Sequence, residues 1–144
     1  MTEPGKYARK AFFQALDGVL SYQGKAVPVY DTFSDEDNGA HQVMLTNQTS
    51  TDTSDKYSFA WDCTLVIDVV TRTKGTGNKS IADNISEQIT NIIQPDRKTI
   101  GLTIDNPFQL LNLQLQSTRY LEEQTPSRYM VRKLLTYSFR IVQN

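Results

Sequence analysis

The stretch from residue 58 to residue 71, SFAWDCTLVIDVVT, decides the fold class of this chain. Its odd-numbered positions from Phe59 to Val69 are all apolar, whereas its even-numbered positions are mixed. This alternation predicts a long β-strand with one face against a core, because successive side chains of a strand point to opposite faces of the sheet. We expect Trp61 to be largely buried on that face.

Two amphipathic helices flank this strand along the chain. Apolar residues at helical spacing predict one helix over residues 6–20 and a second over residues 79–93. Ile81, Ile85 and Ile89 lie on one stripe of the second helix. Asn78 is placed to cap its start, and Pro95 is placed to end it.

Shorter strand signals surround these elements. Alternating or β-branched residues predict strands over residues 26–31, 43–45, 100–104, 111–115 and 131–142. Residues 46–58 are almost all polar, which predicts an exposed and mobile loop, and turns are expected at 106–107 and 122–128. The order of elements predicts an α+β fold in one domain over residues 1–144, with a mostly antiparallel sheet and both helices packed on one face.

Composition excludes several classes of function. Lys and Arg number 15 and Asp and Glu number 16, so the chain is no strongly basic nucleic-acid binder. A single cysteine and a single histidine exclude an intrachain disulfide and cysteine-rich or histidine-rich metal sites. No apolar run has the length of a membrane span or the form of a signal peptide. We expect a soluble protein with no membrane contact, made in the cytoplasm.

The candidate catalytic groups have plainer interpretations. His41 follows an acidic turn and is expected to form a salt link with Asp35 or Asp37, and Cys63 is expected to be a small buried side chain. Residues 73–80 lack the first glycine of a phosphate-binding loop, and residues 35–39 lack the ligand series of a calcium loop. The sequence therefore predicts no catalytic, cofactor-binding or metal site.

Charge is segregated along the chain. Residues 31–68 contain eight acidic residues and one basic residue, whereas residues 119–144 contain five basic residues and two acidic ones. Such separation predicts a head-to-tail contact between copies in which an acidic patch meets a basic patch. The acidic patch is Asp35, Glu36 and Asp37, and the basic patch is Arg128, Arg132 and Lys133. In the competing interpretation, the basic residues line a channel for DNA.

The sequence of elements resembles a known family. The segment Val29-Tyr30-Asp31 after the first helix, and a long strand followed by a helix that begins Ile81-Ala82-Asp83-Asn84-Ile85, are similar to motifs of the tail-terminator and tail-completion proteins of tailed bacteriophages. The resemblance covers nearly the whole chain.

This resemblance implies a structural role without catalysis or a cofactor. Proteins of the family form rings at the head–tail junction of the virion, contact neighbouring connector and tail proteins, and leave a channel through which DNA passes without specific binding. They are assembled in the host cytoplasm. Two alternatives remain open: a small monomeric adaptor or inhibitor that binds a host protein, and an enzyme with a composite site around His41.

Overall fold

A computed structural model of the chain describes residues 2–32, 41–74, 79–124 and 126–143. Two helices and a mostly antiparallel sheet make this an α+β fold, as the sequence predicts. The elements in chain order are α1 (Gly5–Leu16), β1 (Ser21–Tyr22), β2 (Lys25–Ala26), β3 (Val29–Tyr30), β4 (Gln42–Asp52), β5 (Phe59–Thr73), α2 (Ser80–Ile93), β6 (Phe108–Gln124) and β7 (Tyr129–Gln143).

Five strands form the main sheet in the order β3-β4-β5-β7-β6. The short β3 runs parallel to β4, and every other neighbouring pair is antiparallel. β5 pairs with β7 along its whole length, from Phe59 opposite Gln143 to Thr73 opposite Tyr129. The long strand predicted from residues 58–71 is therefore the centre of the sheet, and β1 and β2 form a separate small hairpin.

Both helices pack on the same face of this sheet, as predicted. Phe12 of α1 lies with its ring centroid 5.8 Å from Tyr137 and 5.5 Å from Phe139, both on β7. Ile85 and Ile89 of α2 are fully buried in the same core. Trp61 is 3% exposed on this face, which confirms the prediction that it is buried. We call this side of the sheet the helix face and the opposite side the open face, although Met44, Asp68 and Val70 on the open face are buried.

The helix boundaries differ slightly from those predicted. α1 ends at Leu16 rather than at residue 20, because Asp17 is extended and Gly18 has a φ of +79°, a conformation that favours glycine. α2 begins at Ser80, and the predicted cap Asn78 lies outside the described residues. In the ranges described, no helix combines the length and the apolar character needed to cross a membrane.

The prediction of one exposed loop over residues 46–58 is wrong. β4 continues to Asp52 and pairs with β5 as far as Asp52 opposite Trp61. Only residues 53–58 connect the two strands. The residues in the distal half of β4 are mostly exposed to solvent. Its Thr and Ser residues are therefore typical of an exposed strand rather than of a loop.

The prediction of a strand over residues 100–104 is also wrong. The amide of Gly101 donates to the carbonyl of Ile93 at 2.6 Å, so this segment bonds to the end of α2 instead of to the sheet. Ile100, Leu102 and Ile104 pack against the core from there, which explains their apolar alternation. The predicted turn at Asn106-Pro107 is confirmed and contains a cis peptide bond.

The C-terminal hairpin is longer than predicted. β6 runs from Phe108 to Gln124 with register shifts between Leu111 and Gln114 and between Leu115 and Ser117. The first shift lies within the predicted segment 111–115, so Leu110 and Leu113 are the buried residues there, whereas Leu111 pairs with Arg140 and Leu115 is exposed.

Candidate assembly surfaces

The three basic residues predicted to form one patch do not share one surface. Arg132 and Lys133 are consecutive on β7, so their side chains point to opposite faces of the sheet. Arg132 points to the open face, where it bonds to Asp68, and Lys133 points to the helix face. Arg128 lies between β6 and β7. The acidic partners Asp35, Glu36 and Asp37 lie outside the described residues, so the interface stays a prediction.

Arg132 takes part in a buried ion pair on the open face. The side chain of Asp68 is fully buried, and its Oδ2 accepts a hydrogen bond from Arg132 Nε at 3.1 Å and another from a terminal guanidinium nitrogen. The hydrogen bond to Asp68 raises the pKa of Arg132 despite its partial burial. The guanidinium therefore compensates an internal charge, which restricts its use in a contact with another subunit.

Lys133 belongs to a cluster that links α2 to the C-terminal hairpin. Its Nζ lies 2.9 Å from Oδ1 of Asp83, and the hydroxyl of Tyr120 donates to the same oxygen. The ammonium groups of Lys133 and Lys79 lie 5.1 and 4.9 Å from the centre of the Tyr120 ring. The hydrogen bond from Tyr120, followed by the bond and charge of Lys133, lowers the pKa of Asp83. These contacts hold α2, β6 and β7 together through Asp83, Tyr120 and Lys133.

The outer edge of β6 is a second feature, which the sequence patterns did not reveal. β6 is the last strand of the sheet, so β7 is its only strand neighbour in the described part of the chain. From Ser117 to Gln124 its pairing with β7 has no irregularity, and all of these residues except Tyr120 are exposed. An unpaired edge of this length presents backbone donors and acceptors to a partner strand.

The hairpin between β4 and β5 presents an aromatic side chain. Tyr57 is 84% exposed, and the Lys56 ammonium lies 5.1 Å from the centre of its ring. Oδ1 of Asp55 accepts from the amides of Tyr57 at 2.7 Å and Ser58 at 2.9 Å. These bonds fix the turn locally, so Tyr57 is held at a defined position rather than on a loose loop.

His41 stands beside an open cleft of about 370 Å³. Its Nδ1 accepts from the amide of Arg72 at 3.4 Å, and its ring meets Tyr22 edge-on with centroids 5.6 Å apart. Burial, and then the charge of Arg72, lower its pKa. The expected salt link to Asp35 or Asp37 falls on residues outside the described ranges.

Cys63 is buried on the helix face, as expected. Burial first, and then the charges of Glu3 and Asp62, raise the pKa of its thiol to about 12, so it is protonated at neutral pH. A protonated and buried thiol is a poor nucleophile and a poor metal ligand. Among the residues that the structure describes, no three His, Cys, Asp or Glu side chains come close enough to hold a metal ion.

The fold occurs in a solved virion. The chain is similar to a protein chain in the structure of the virion of a native gene transfer agent (GTA) particle, with a TM-score of 0.69 and 21% sequence identity. The similarity covers 93% of this chain and 93% of that chain. The two chains therefore share their fold over nearly their full lengths. No protein-family model and no curated protein sequence matches the chain.

Proposed function

We propose that this protein is a structural component of a phage-like virion that forms a ring at the head–tail junction. The observation that carries the proposal is the fold shared over 93% of the chain with a virion protein of a gene transfer agent particle. The motifs at Val29-Tyr30-Asp31 and at Ile81-Ala82 support it, because they resemble those of tail-terminator and tail-completion proteins in the same order.

In this role the protein acts by assembly rather than by catalysis. Neighbouring connector and tail proteins are its partners, and DNA passes through the ring without specific binding. A near-neutral chain suits such a passage, because tight neutralisation of phosphates would hold the DNA in place. Head-to-tail rings need two different complementary surfaces on each subunit, and charge segregation along the chain offers them.

The ring itself is tested by electron microscopy and light scattering of the purified protein. Annular particles whose mass is a whole multiple of the 16.4 kDa subunit are the expected result. A protein that stays monomeric at high concentration would instead support the alternative of a small adaptor or inhibitor that binds a host protein.

The proposed acidic-to-basic contact is best tested from its acidic side. Arg132 and Lys133 already bond to Asp68 and Asp83, so reversing their charge would disturb the subunit as well as the interface. The double variant Asp35→Lys with Glu36→Lys is expected to abolish rings. A matched control reverses two exposed acidic residues elsewhere, Asp17→Lys with Glu87→Lys, and is expected to keep them. Rings that survive the first pair would exclude this contact.

A further inference from the structure

The segment from Ser117 to Gln124, STRYLEEQ, is a regular strand edge whose protection against pairing is limited to its charged side chains Arg119, Glu122 and Glu123. Proteins commonly guard exposed edges with lysine, proline or a bulge. This segment has no lysine and no proline, and both register shifts of β6 lie before Ser117. We call it the β6 edge.

On the open face the β6 edge presents one basic, one apolar and one acidic side chain. Arg119, Leu121 and Glu123 lie opposite Leu134, Arg132 and Met130 of β7. All three are exposed, Leu121 to 36%. Within the described ranges neither Arg119 nor Glu123 forms a salt bridge.

The other side chains of the edge are used within the subunit. Tyr120 points to the helix face and bonds to Asp83, and Glu122 lies 3.5 Å from the ammonium of Lys79. Arg119 and Glu123, four residues apart on one face, are therefore the charged groups of the edge that form no salt bridge in the described part of the subunit, although the charge of Glu123 also acts on Arg132.

We propose that two copies of the chain pair antiparallel through their β6 edges, about a two-fold axis that passes between the two Leu121 residues. Such an axis stands perpendicular to the sheet, so the open faces of the two copies form one continuous surface. Each Arg119 then lies opposite Glu123 of the partner subunit, and the two Leu121 side chains meet between these ion pairs. Cross-strand pairs of opposite charge and apolar cross-strand pairs both stabilise a sheet.

The charges select this register over its neighbours. A two-fold axis at Tyr120 would set Arg119 opposite Leu121 of the partner subunit and leave both charges unpaired. An axis at Arg119 or at Glu122 would set identical charges against each other, which destabilises a sheet. A slip by one residue would put the helix face of one copy against the open face of the other.

A contact of this kind is self-complementary and closes on itself. It covers the exposed edge and prevents further strands from adding to it. The inference does not rest on the proposed virion role, because it follows from the edge and its charges alone.

The experiment measures the mass of the full chain by sedimentation as a function of concentration. The wild type is expected to pair through this contact, as a dimer or, where the proposed rings form, as an assembly of twice the mass of one ring. The single variants Arg119→Glu and Glu123→Arg are each expected to weaken this pairing by about 10- to 100-fold, because each sets like charges opposite each other twice. An equimolar mixture of the two variants should dimerise again, since Arg119→Glu supplies two acidic residues and Glu123→Arg supplies two basic ones. The double variant should dimerise alone.

The mass of the restored species distinguishes this contact from a head-to-tail arrangement through the same residues, in which mixing would restore rings or filaments of alternating subunits rather than a closed two-fold pair. Glu87→Arg on α2 makes the same charge change as Glu123→Arg at another exposed site and is expected to dimerise like the wild type. Circular dichroism checks that each variant is folded. A wild type that stays monomeric, a larger assembly that Arg119→Glu leaves intact, or a mixture that fails to associate would each overturn the proposal.

Discussion

Asp68 and Arg132 form an ion pair on the sheet face opposite the helices, with Arg132 Nε 3.1 Å from Oδ2 of Asp68. The side chain of Asp68 is fully buried, whereas that of Arg132 is 31% exposed. A carboxylate without solvent is costly unless a cation and hydrogen bonds compensate it. Arg132 thus compensates the buried charge of Asp68, and both residues contribute to the stability of the subunit.

Replacing Arg132 with alanine should therefore destabilise the fold. The change leaves Asp68 charged, buried and without its cation, and the expected loss is about 3 kcal/mol of unfolding free energy, measured by urea denaturation. Arg140→Ala is the matched control, because Arg140 meets Asp62 at 3.6 Å with both side chains exposed. Its expected effect is below about 1 kcal/mol. Equal losses for the two variants would contradict the role assigned to Asp68.

Lowering the pH should destabilise the protein through His41. Burial, then the charge of Arg72, lower the pKa of His41 in the folded state below its unfolded value of 6.5. The unfolded chain consequently binds more protons as the pH falls below that value, and the folded state loses stability until His41 itself is protonated. Protonation of His41 also removes the hydrogen bond that its Nδ1 accepts from the amide of Arg72.

The measurement for His41 is urea denaturation at pH 7.5 and at pH 5.5. The wild type should lose more stability between these values than His41→Asn, which has no group that titrates there. Carboxylates whose pKa is lowered in the fold, such as Asp83, contribute only at lower pH because their ordinary value is 3.8. An identical pH response of wild type and variant would exclude His41 as the source.

The turn between β4 and β5 should depend on Asp55. Its carboxylate accepts two backbone amide hydrogen bonds, from Tyr57 and from Ser58, and these bonds lower its pKa. Asp55→Ala should accelerate hydrogen exchange at these two amides, while the amides of β4 that bond to β5 stay protected. Lys56→Ala, which changes the neighbouring exposed residue, is the control and should leave both amides unchanged. Fast hydrogen exchange at the amides of residues 46–52 in the wild type would instead contradict the extension of β4 to Asp52 and support the mobile loop predicted from the sequence.

The sequence predicts the parts of this fold in which burial follows a period. The strand around Trp61 alternates because one of its faces lies in the core, and α2 shows its isoleucine stripe for the same reason. The distal half of β4 was not predicted as a strand because its residues are polar and exposed, so they show no apolar alternation. The opposite error concerns residues 100–104, for which a strand was predicted. The alternation of Ile100, Leu102 and Ile104 correctly indicates that they pack against the core, but it does not show that the backbone bonds to the end of α2 instead of to a strand.

The candidate surfaces were less predictable because they depend on pairing between distant segments. Segregation of charge was visible in the sequence, but the bond of Arg132 to Asp68 depends on the register between β5 and β7. The β6 edge is likewise defined by the strand order of the sheet, in which β6 has β7 on one side and stands last. A signal was present in the run from Ser117 to Gln124, which has neither proline nor lysine, but only the sheet order shows that this run lies at an edge.

Gly101 should not tolerate a side chain. A Cβ atom at position 101 would lie 1.9 Å from the carbonyl oxygen of Ile92 and 3.2 Å from that of Ile93, and both of these are backbone atoms at the end of α2. Gly101→Ala must therefore displace the segment that bonds to Ile93, and we expect a loss of about 2–3 kcal/mol in thermal or urea unfolding. Gly5→Ala is the matched control, because a Cβ at position 5 meets only the flexible carboxylate of Glu3. That change should preserve or slightly raise stability, since alanine favours helix more than glycine does. If Gly101→Ala were as stable as Gly5→Ala, the close approach of residue 101 to the end of α2 would be wrong.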